Sequence, residues 1–383
     1  MMGRNNDGDD SAVTLPSQAE LGILQLAQSH FAAQALVAII RLGVLDVLDE
    51  HSLTVDEIIT KAYHDQDATT INRDALFRCL RLLCTVGVIQ DTTKNNHSVS
   101  ESAFLLTEMG QLLQQPEYSS FVLHWAELPL WNAWSQLPDY VAGKESSFDI
   151  NTPPFDRANG MTASDYYKNN PDSCTHRNSV ARYASSSEIN SILDALQHSS
   201  VLNESILDRK NIVDIGGGYG DLMNEVKHAM PSVGECYCLD LPDVIDDALS
   251  TANDDNAHDR TATLVAGNMF DPTTIPQCDF IFTKHVLCDF SDDDVIRALQ
   301  SFDKAISKGG KIVIMDAILP NGGDLNCKWN PAVAFDVLLM LSGRRGERSR
   351  LEWSNLAEKA GFVLEDVLPT SSVTVDLAVL TRA

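Results

Sequence analysis

Positive charge is scarce in this sequence: 28 lysines and arginines stand against 54 aspartates and glutamates, a formal net charge of −26 over 383 residues. Such a surface repels phosphate backbones and anionic headgroups, so neither nucleic acid nor membrane is an expected partner. Also missing is an apolar leader. The opening stretch, MMGRNNDGDDSAVTLPSQAE, is polar and has no secretory h-region. No uninterrupted apolar run looks long enough to span a bilayer. The eight cysteines are scattered, and the closest pairs, Cys79/Cys84 and Cys236/Cys238, lack metal-ligand spacing. They read as reduced thiols of a cytoplasmic protein, with no metal site expected.

What is present is a glycine turn in a telling context. Residues 211–215 form an apolar run that reads as a buried strand, and residues 221–230 resume helical spacing. Between them Gly216, Gly217, Gly218 and Gly220 leave a turn without side chains, where backbone N–H groups can approach a ligand. The next apolar run, 236–239, ends at Asp240, placed to bind two ribose hydroxyls. The dinucleotide fingerprint needs a third glycine where this chain has Asp221 or Met223. The spacing G-x-G-x-G suits S-adenosyl-L-methionine (SAM), which has no pyrophosphate to cradle.

The length suits two domains. Residues 1–18 read as a disordered leader. In 19–115, helices at 21–48, 54–62 and 72–85 precede 87–89, a polar loop and 103–106, a winged-helix pattern. The acidic charge favours dimerisation over DNA binding for this module. The apolar helix around 31–48 carries more hydrophobic surface than so small a domain can hide, so an intertwined homodimer is expected. Residues 116–200 read as a helical, substrate-lining linker. Within it, 121–141 reads as one helix bearing His124, Trp125, Trp131 and Trp134, 148–160 as loop, and 165–196 as helix. From 201 to 383 strands and helices alternate, with strands at 263–266, 280–283, 311–315, 363–367 and 378–380. Repeated βα units imply an α/β fold, a doubly wound, mostly parallel sheet.

GGGYG at 216–220, LDLP at 239–242, GNMF at 267–270, KHVLCDF at 284–290, GGKIVIMDAILP at 309–320 and GERS at 346–349 stand in fixed order. Together they resemble the plant and fungal SAM-dependent O-methyltransferases of the caffeic-acid type. The resemblance implies that Asp240 and Leu241 hold ribose and adenine, that Asn268 and Met269 flank the adenine, and that Lys284 lies beside the methionine end. Asn268 stands where that family usually has aspartate. A larger departure follows: the family's catalytic histidine, in a His-Asp-Trp segment, is here Cys288, followed by Asp289 and Phe290. A thiol is mostly protonated near neutrality and is a poor base. His285 is three residues away but is expected to point elsewhere. The carboxylates that would orient the histidine remain as Asp316 and Glu347.

An intact SAM site without the base resembles a fungal offshoot of the family, the non-methylating SAM-dependent pericyclases of 2-pyridone (leporin-like) alkaloid biosynthesis. That resemblance implies that SAM is bound but not consumed, and that His124 and Asp289 promote dehydration of an alcohol to a quinone methide, which then cyclises. Leporin-type members carry a basic residue where this chain has Cys288. Trp125, Trp131, Trp134, Arg182, Asp316, Asp336, Met340 and Glu347 are expected to line the substrate. Three readings stay open: this dehydratase/pericyclase, an O-methyltransferase with an unusual base, and a catalytically silent SAM-binding relative.

Overall fold

Ser17 begins the first helix by a reciprocal cap: its hydroxyl accepts from Glu20 N–H while the Glu20 carboxylate takes the Ser17 N–H. The helix runs Gln18–Arg41 and stops at Gly43, whose left-handed φ of +63° turns the chain into the short helix Val44–Val47. The computed structural model describes residues 16–48, 51–63, 70–93, 102–143, 149, 151–251, 261–321 and 329–383, without the side chains of Arg182 and Thr251. Residues 1–15 of the expected leader and 94–100 of the polar loop lie outside these, as does Arg182 as a substrate-lining side chain.

The chain forms two units, Met1–Glu127 with Thr175–Val180, and Leu128–Cys174 with Ala181–Ala383. In the first, helices Val55–Ala62, capped by Thr54 as expected, and Arg73–Thr85 pack their apolar faces with Ile39, Val44, Leu45 and Leu48. Strands Ile89–Asp91 and Ala103–Leu106 form the antiparallel wing, and Leu53–Thr54 adds a third strand that the apolar pattern did not reveal.

Several helix expectations need correction. Within the 31–48 stretch Ala35, Ile39, Val44, Leu45 and Leu48 are buried inside this unit, while exposed apolar surface lies at its first residue and before it, where Ile23, Leu26 and Phe31 are 68%, 79% and 50% exposed. By length and composition Gln18–Arg41 is also apolar enough to cross a membrane, although Gln25, Gln28, Ser29 and His30 interrupt it. Residues 121–141 are three helices, Pro116–Trp125, Leu128–Trp134 and Leu137–Val141. Pro129 and Pro138 each sit in the first turn of the next helix, where a missing N–H costs nothing. Likewise Pro171 divides the expected 165–196 helix into Ala163–Asn169 and Pro171–His198, and the 148–160 loop contains the helix Pro154–Asn159.

Among the described residues the second unit is built on a seven-stranded sheet. In chain order its strands are β1 (Ile212–Ile215), β2 (Cys236–Asp240), β3 (Thr263–Ala266), β4 (Cys278–Lys284), β5 (Ile306–Asp316), β6 (Phe362–Leu368) and β7 (Asp376–Arg382). Their spatial order is β3-β2-β1-β4-β5-β7-β6, all parallel except β7. Strand order reverses at β1, so a crevice opens above the C-terminal ends of β1 and β4, where such sheets bind ligands. Buried apolar side chains cover both faces, with Trp353, Phe302 and Leu299 in one cluster and Met223, Val226 and Ile192 in the other.

The exposed apolar side chains at the start of Gln18–Arg41 predict an assembly of two chains. Light scattering should return twice 42.0 kDa, and Leu26→Asp with Phe31→Asp should return 42.0 kDa. A wild-type mass of a single chain at micromolar concentration would contradict this.

Candidate active site

The crevice above β1 is lined by Asp214, Gly217, Gly218, Tyr219, Lys284 and Ser185. Glycine is required here by contact as well as conformation. A Cβ on Gly217 would meet Asp214 Oδ2 at 2.5 Å and Cys238 Sγ at 2.8 Å, while Gly216, Gly218 and Gly220 take φ of +71°, +59° and +86°. Asp240, at the end of β2, accepts the Gly218 N–H at 2.9 Å through Oδ2 and its neighbour Leu241's N–H at 2.7 Å through Oδ1. It therefore fixes the turn from the side on which a ribose would lie. Asp214 is fully buried and its Oδ1 has no hydrogen-bond partner. Burial, opposed by Lys284 and reinforced by Asp240, raises its carboxyl to about 7. An orphaned buried acid beside a side-chain-free cradle suits a ligand carrying positive charge. Leu241 is exposed, Asn268 accepts the Phe270 N–H in its own turn, and Met269 belongs to the buried core.

Lys284, at the end of β4, pairs with Glu188 at 3.2 Å. Glu188 lies on Pro171–His198 and also accepts from Thr374 at 2.6 Å and contacts His285 Nε2 at 3.0 Å. Burial pushes this carboxyl up, but His285, Lys284 and Thr374 outweigh it and hold it down at about 2. The expectation that His285 points elsewhere is corrected by its backbone. A left-handed φ of +54°, rare for a residue with Cβ, turns its ring back so that a ring nitrogen, Cys288 Sγ and an Asp316 oxygen lie within 4.8 Å of one another. Its N–H donates to Met315 O at 3.1 Å and Asp316 Oδ1 at 2.9 Å, which holds that conformation.

Cys288 and Asp289 lie on the single turn Leu287–Asp289. Cys288 is 2% exposed; burial, then Asp316, Glu347 and Asp289, push its thiol far above the ordinary value. Arg344 pairs with Asp289 at 2.8 Å and so brings a cation to a segment that has none in the sequence. The parallel pairing of Arg348–Ser349 with Ile318–Leu319 places Glu347 beside the end of β5. Both Glu347 oxygens and Asp316 Oδ2 are buried and without partners. Asp336 accepts the Glu347 N–H at 2.8 Å; Met340, on the same helix Pro331–Leu341, is half-buried.

The other expected site residues are divided between the two units. His124 and Trp125 belong to the first unit, whereas Trp131 and Trp134 belong to the second, where they are partly exposed. His124 is buried at the end of Pro116–Trp125, and burial, then Arg177 and His176, lower its imidazole to about 4. Its ring packs on Trp125 with centroids 4.6 Å apart. Glu188, Asp214 and Arg344 were not singled out from the sequence. Asp214 alone had a local signal, as the acid inside the apolar run before the glycines.

Strand order, glycine cradle and the acid after β2 define a Rossmann-like SAM-binding methyltransferase fold. A match to the O-methyltransferase domain spans residues 134–363, and one to the O-methyltransferase dimerisation domain spans residues 24–116. The chain belongs to the O-methyltransferase family, and its cofactor is SAM. Nicotinate N-methyltransferase 1 of Glycine max is 28% identical over 355 residues, covering 90% of this chain and 92% of the relative. CalO1, a methyltransferase of calicheamicin biosynthesis solved with SAH, superposes with TM-score 0.75 at 22% identity, covering 97% of this chain and all of the other. A pericyclic reaction enzyme shares the fold with TM-score 0.69 at 19% identity, covering 96% and 90%.

Asp214 generates a pH test. Its folded pKa of about 7 exceeds the unfolded value of about 3.9, so ionisation disfavours the folded state. Stability is full below about pH 4, falls as the pH rises to about 7, and is then level, a loss of about 4 kcal/mol at most. Melts of the cofactor-free protein should show Asp214→Asn gaining on wild type more at about pH 8 than at about pH 4. Equal differences at both would refute this assignment.

Proposed function

We propose that the chain is a SAM-dependent, non-methylating dehydratase and pericyclase of fungal secondary metabolism, converting a 2-pyridone alcohol to a quinone methide and steering its cyclisation. The observation that carries this reading is Cys288: a buried thiol stands where the resemblance to the caffeic-acid type implies a histidine base. Asp240 and Leu241 would hold the ribose side of SAM, Gly216, Gly217, Gly218 and Gly220 its backbone-facing side, Asn268 and Met269 the adenine edge, and Lys284 the methionine end. When bound, SAM supplies a fixed sulfonium charge.

The chain's own residues then supply the proton chemistry. His124, with its imidazole lowered to about 4, is neutral near pH 7 and can accept a proton. Asp289 offers an acceptor for a substrate hydroxyl, and Arg344, bound to it at 2.8 Å, a donor for a carbonyl. The resemblance to leporin-type members implies a basic residue at position 288, and Arg344 would bring that charge from the neighbouring loop. Trp125, Trp131 and Trp134 are proposed as apolar walls, and Asp336 and Met340 as part of the substrate lining.

A second reading, methyl transfer, is favoured by one observation: His285, oriented by Glu188, brings an imidazole to the neighbourhood of Cys288. Supplying a 2-pyridone alcohol with SAM separates the two. The first reading expects substrate loss without S-adenosylhomocysteine, and His124→Ala should slow that loss about 10²–10⁴-fold while SAM still binds. Stoichiometric S-adenosylhomocysteine with a methylated product, abolished by His285→Ala, would establish the second. Asp240→Ala should weaken SAM at least about tenfold in calorimetry, through lost charge-assisted hydrogen bonds and a loosened turn. Unchanged affinity would remove Asp240 from the cofactor site.

A further inference from the structure

We propose that His285, Cys288 and Asp316 form a site for one zinc-like divalent transition-metal ion, with Glu347 or an oxygen of a bound molecule completing the shell. The ligand atoms already lie within 4.8 Å of one another. Cys288, Asp316 and Glu347 are 2%, 0% and 1% exposed, so water does not satisfy them from outside. Glu188 takes His285 Nε2, leaving Nδ1 buried and without a partner. Asp316 Oδ1 accepts the His285 N–H, but Oδ2 and both oxygens of Glu347 have no donor.

Neighbouring cations are committed elsewhere. Arg348 donates to Leu287 O, Phe290 O and Asp292, Arg344 pairs with Asp289, and Lys284 pairs with Glu188. Shared protons can serve two carboxylates, since burial raises both Asp316 and Glu347 above the ordinary carboxylate range. They do not explain why a ring nitrogen of His285 and the Cys288 thiol both lie within 4.8 Å of an Asp316 oxygen. One nitrogen, one sulfur and one carboxylate oxygen match zinc; magnesium and calcium prefer oxygen alone. The Glu188–His285 contact is the arrangement that orients a ligating histidine, a carboxylate receiving the N–H opposite the metal. The left-handed backbone of His285 supports the same conclusion, because a costly conformation is retained where it places a side chain.

Binding would form Cys288 Sγ–metal and His285 Nδ1–metal bonds and release the thiol proton to solvent. The ion would occupy the lone pair that the methyl-transfer reading needs from His285, so the inference goes beyond the function proposed above. Its test involves neither SAM nor substrate. The untagged full-length chain, stripped by chelation, is desalted after exposure to zinc chloride or cobalt chloride alone. Retention of one equivalent per chain is expected, with a sulfur-to-cobalt charge-transfer absorption in the cobalt form. Cys288→Ser should abolish that absorption, and Glu188→Gln should weaken zinc about 10–100-fold, the usual effect of removing a histidine's orienting partner. No retained metal in the wild type would overturn the site, as would retention that Cys288→Ser and His285→Ala leave unchanged. The wild-type measurement decides even if a variant fails to fold.

Discussion

Arg348 is the fastening on which the rest of the site depends. Its guanidinium is completely buried and lies 5.2 Å from the Trp353 ring centroid. A charge so placed is tolerable only if its donors are spent, and they go to Leu287 O, Phe290 O and Asp292 Oδ1 at 2.7–3.1 Å. Gly346 N–H adds a bond to Cys288 O at 2.9 Å. The turn bearing Cys288 and Asp289 is thereby locked to the loop bearing Arg344 and Glu347. Because two separate segments are fixed against the end of β5, the carboxylates of Asp316 and Glu347 are held close enough to Cys288 to act on its thiol.

A second constraint lies at the glycine turn. Gly217 must be bare because Asp214 and Cys238 stand beneath it, and Asp240 ties Gly218 down from β2. Asp214 held in a fully buried position stores unfavourable charge that a cationic ligand can relieve. The cofactor site and the Cys288 site are joined through Lys284 and His285, adjacent residues that share Glu188. A charge placed beside Lys284 is therefore felt by His285 through their common carboxylate.

The cofactor half of this picture was legible because its signals are local: an apolar run, glycines, a helix, and an acid after the next strand. The N-terminal helices and their antiparallel wing have equally local signals, whereas the expected 116–200 linker is divided between the two units, most of it going with the sheet. Helix lengths were less so, since continuous apolar spacing across Pro129, Pro138 and Pro171 hid breaks that proline places at helix starts. Glu188 could not be found by spacing; it lies 97 residues from His285 and meets it only through the fold. His285 was misread because side-chain direction was inferred from an ordinary backbone, and its φ of +54° is not ordinary. Arg344 escaped notice because Gly343, Arg344 and Arg345 look like a solvated loop until Asp289 is seen opposite.

Under the proposed function the bound cofactor keeps its methyl group, because no competent base stands at position 288. SAM labelled with carbon-13 on its S-methyl can be followed by NMR while a 2-pyridone alcohol is turned over in excess. The sulfonium methyl signal should persist at full intensity while cyclised product accumulates well beyond one equivalent per cofactor. Migration of the label into product, in step with substrate loss, would contradict it.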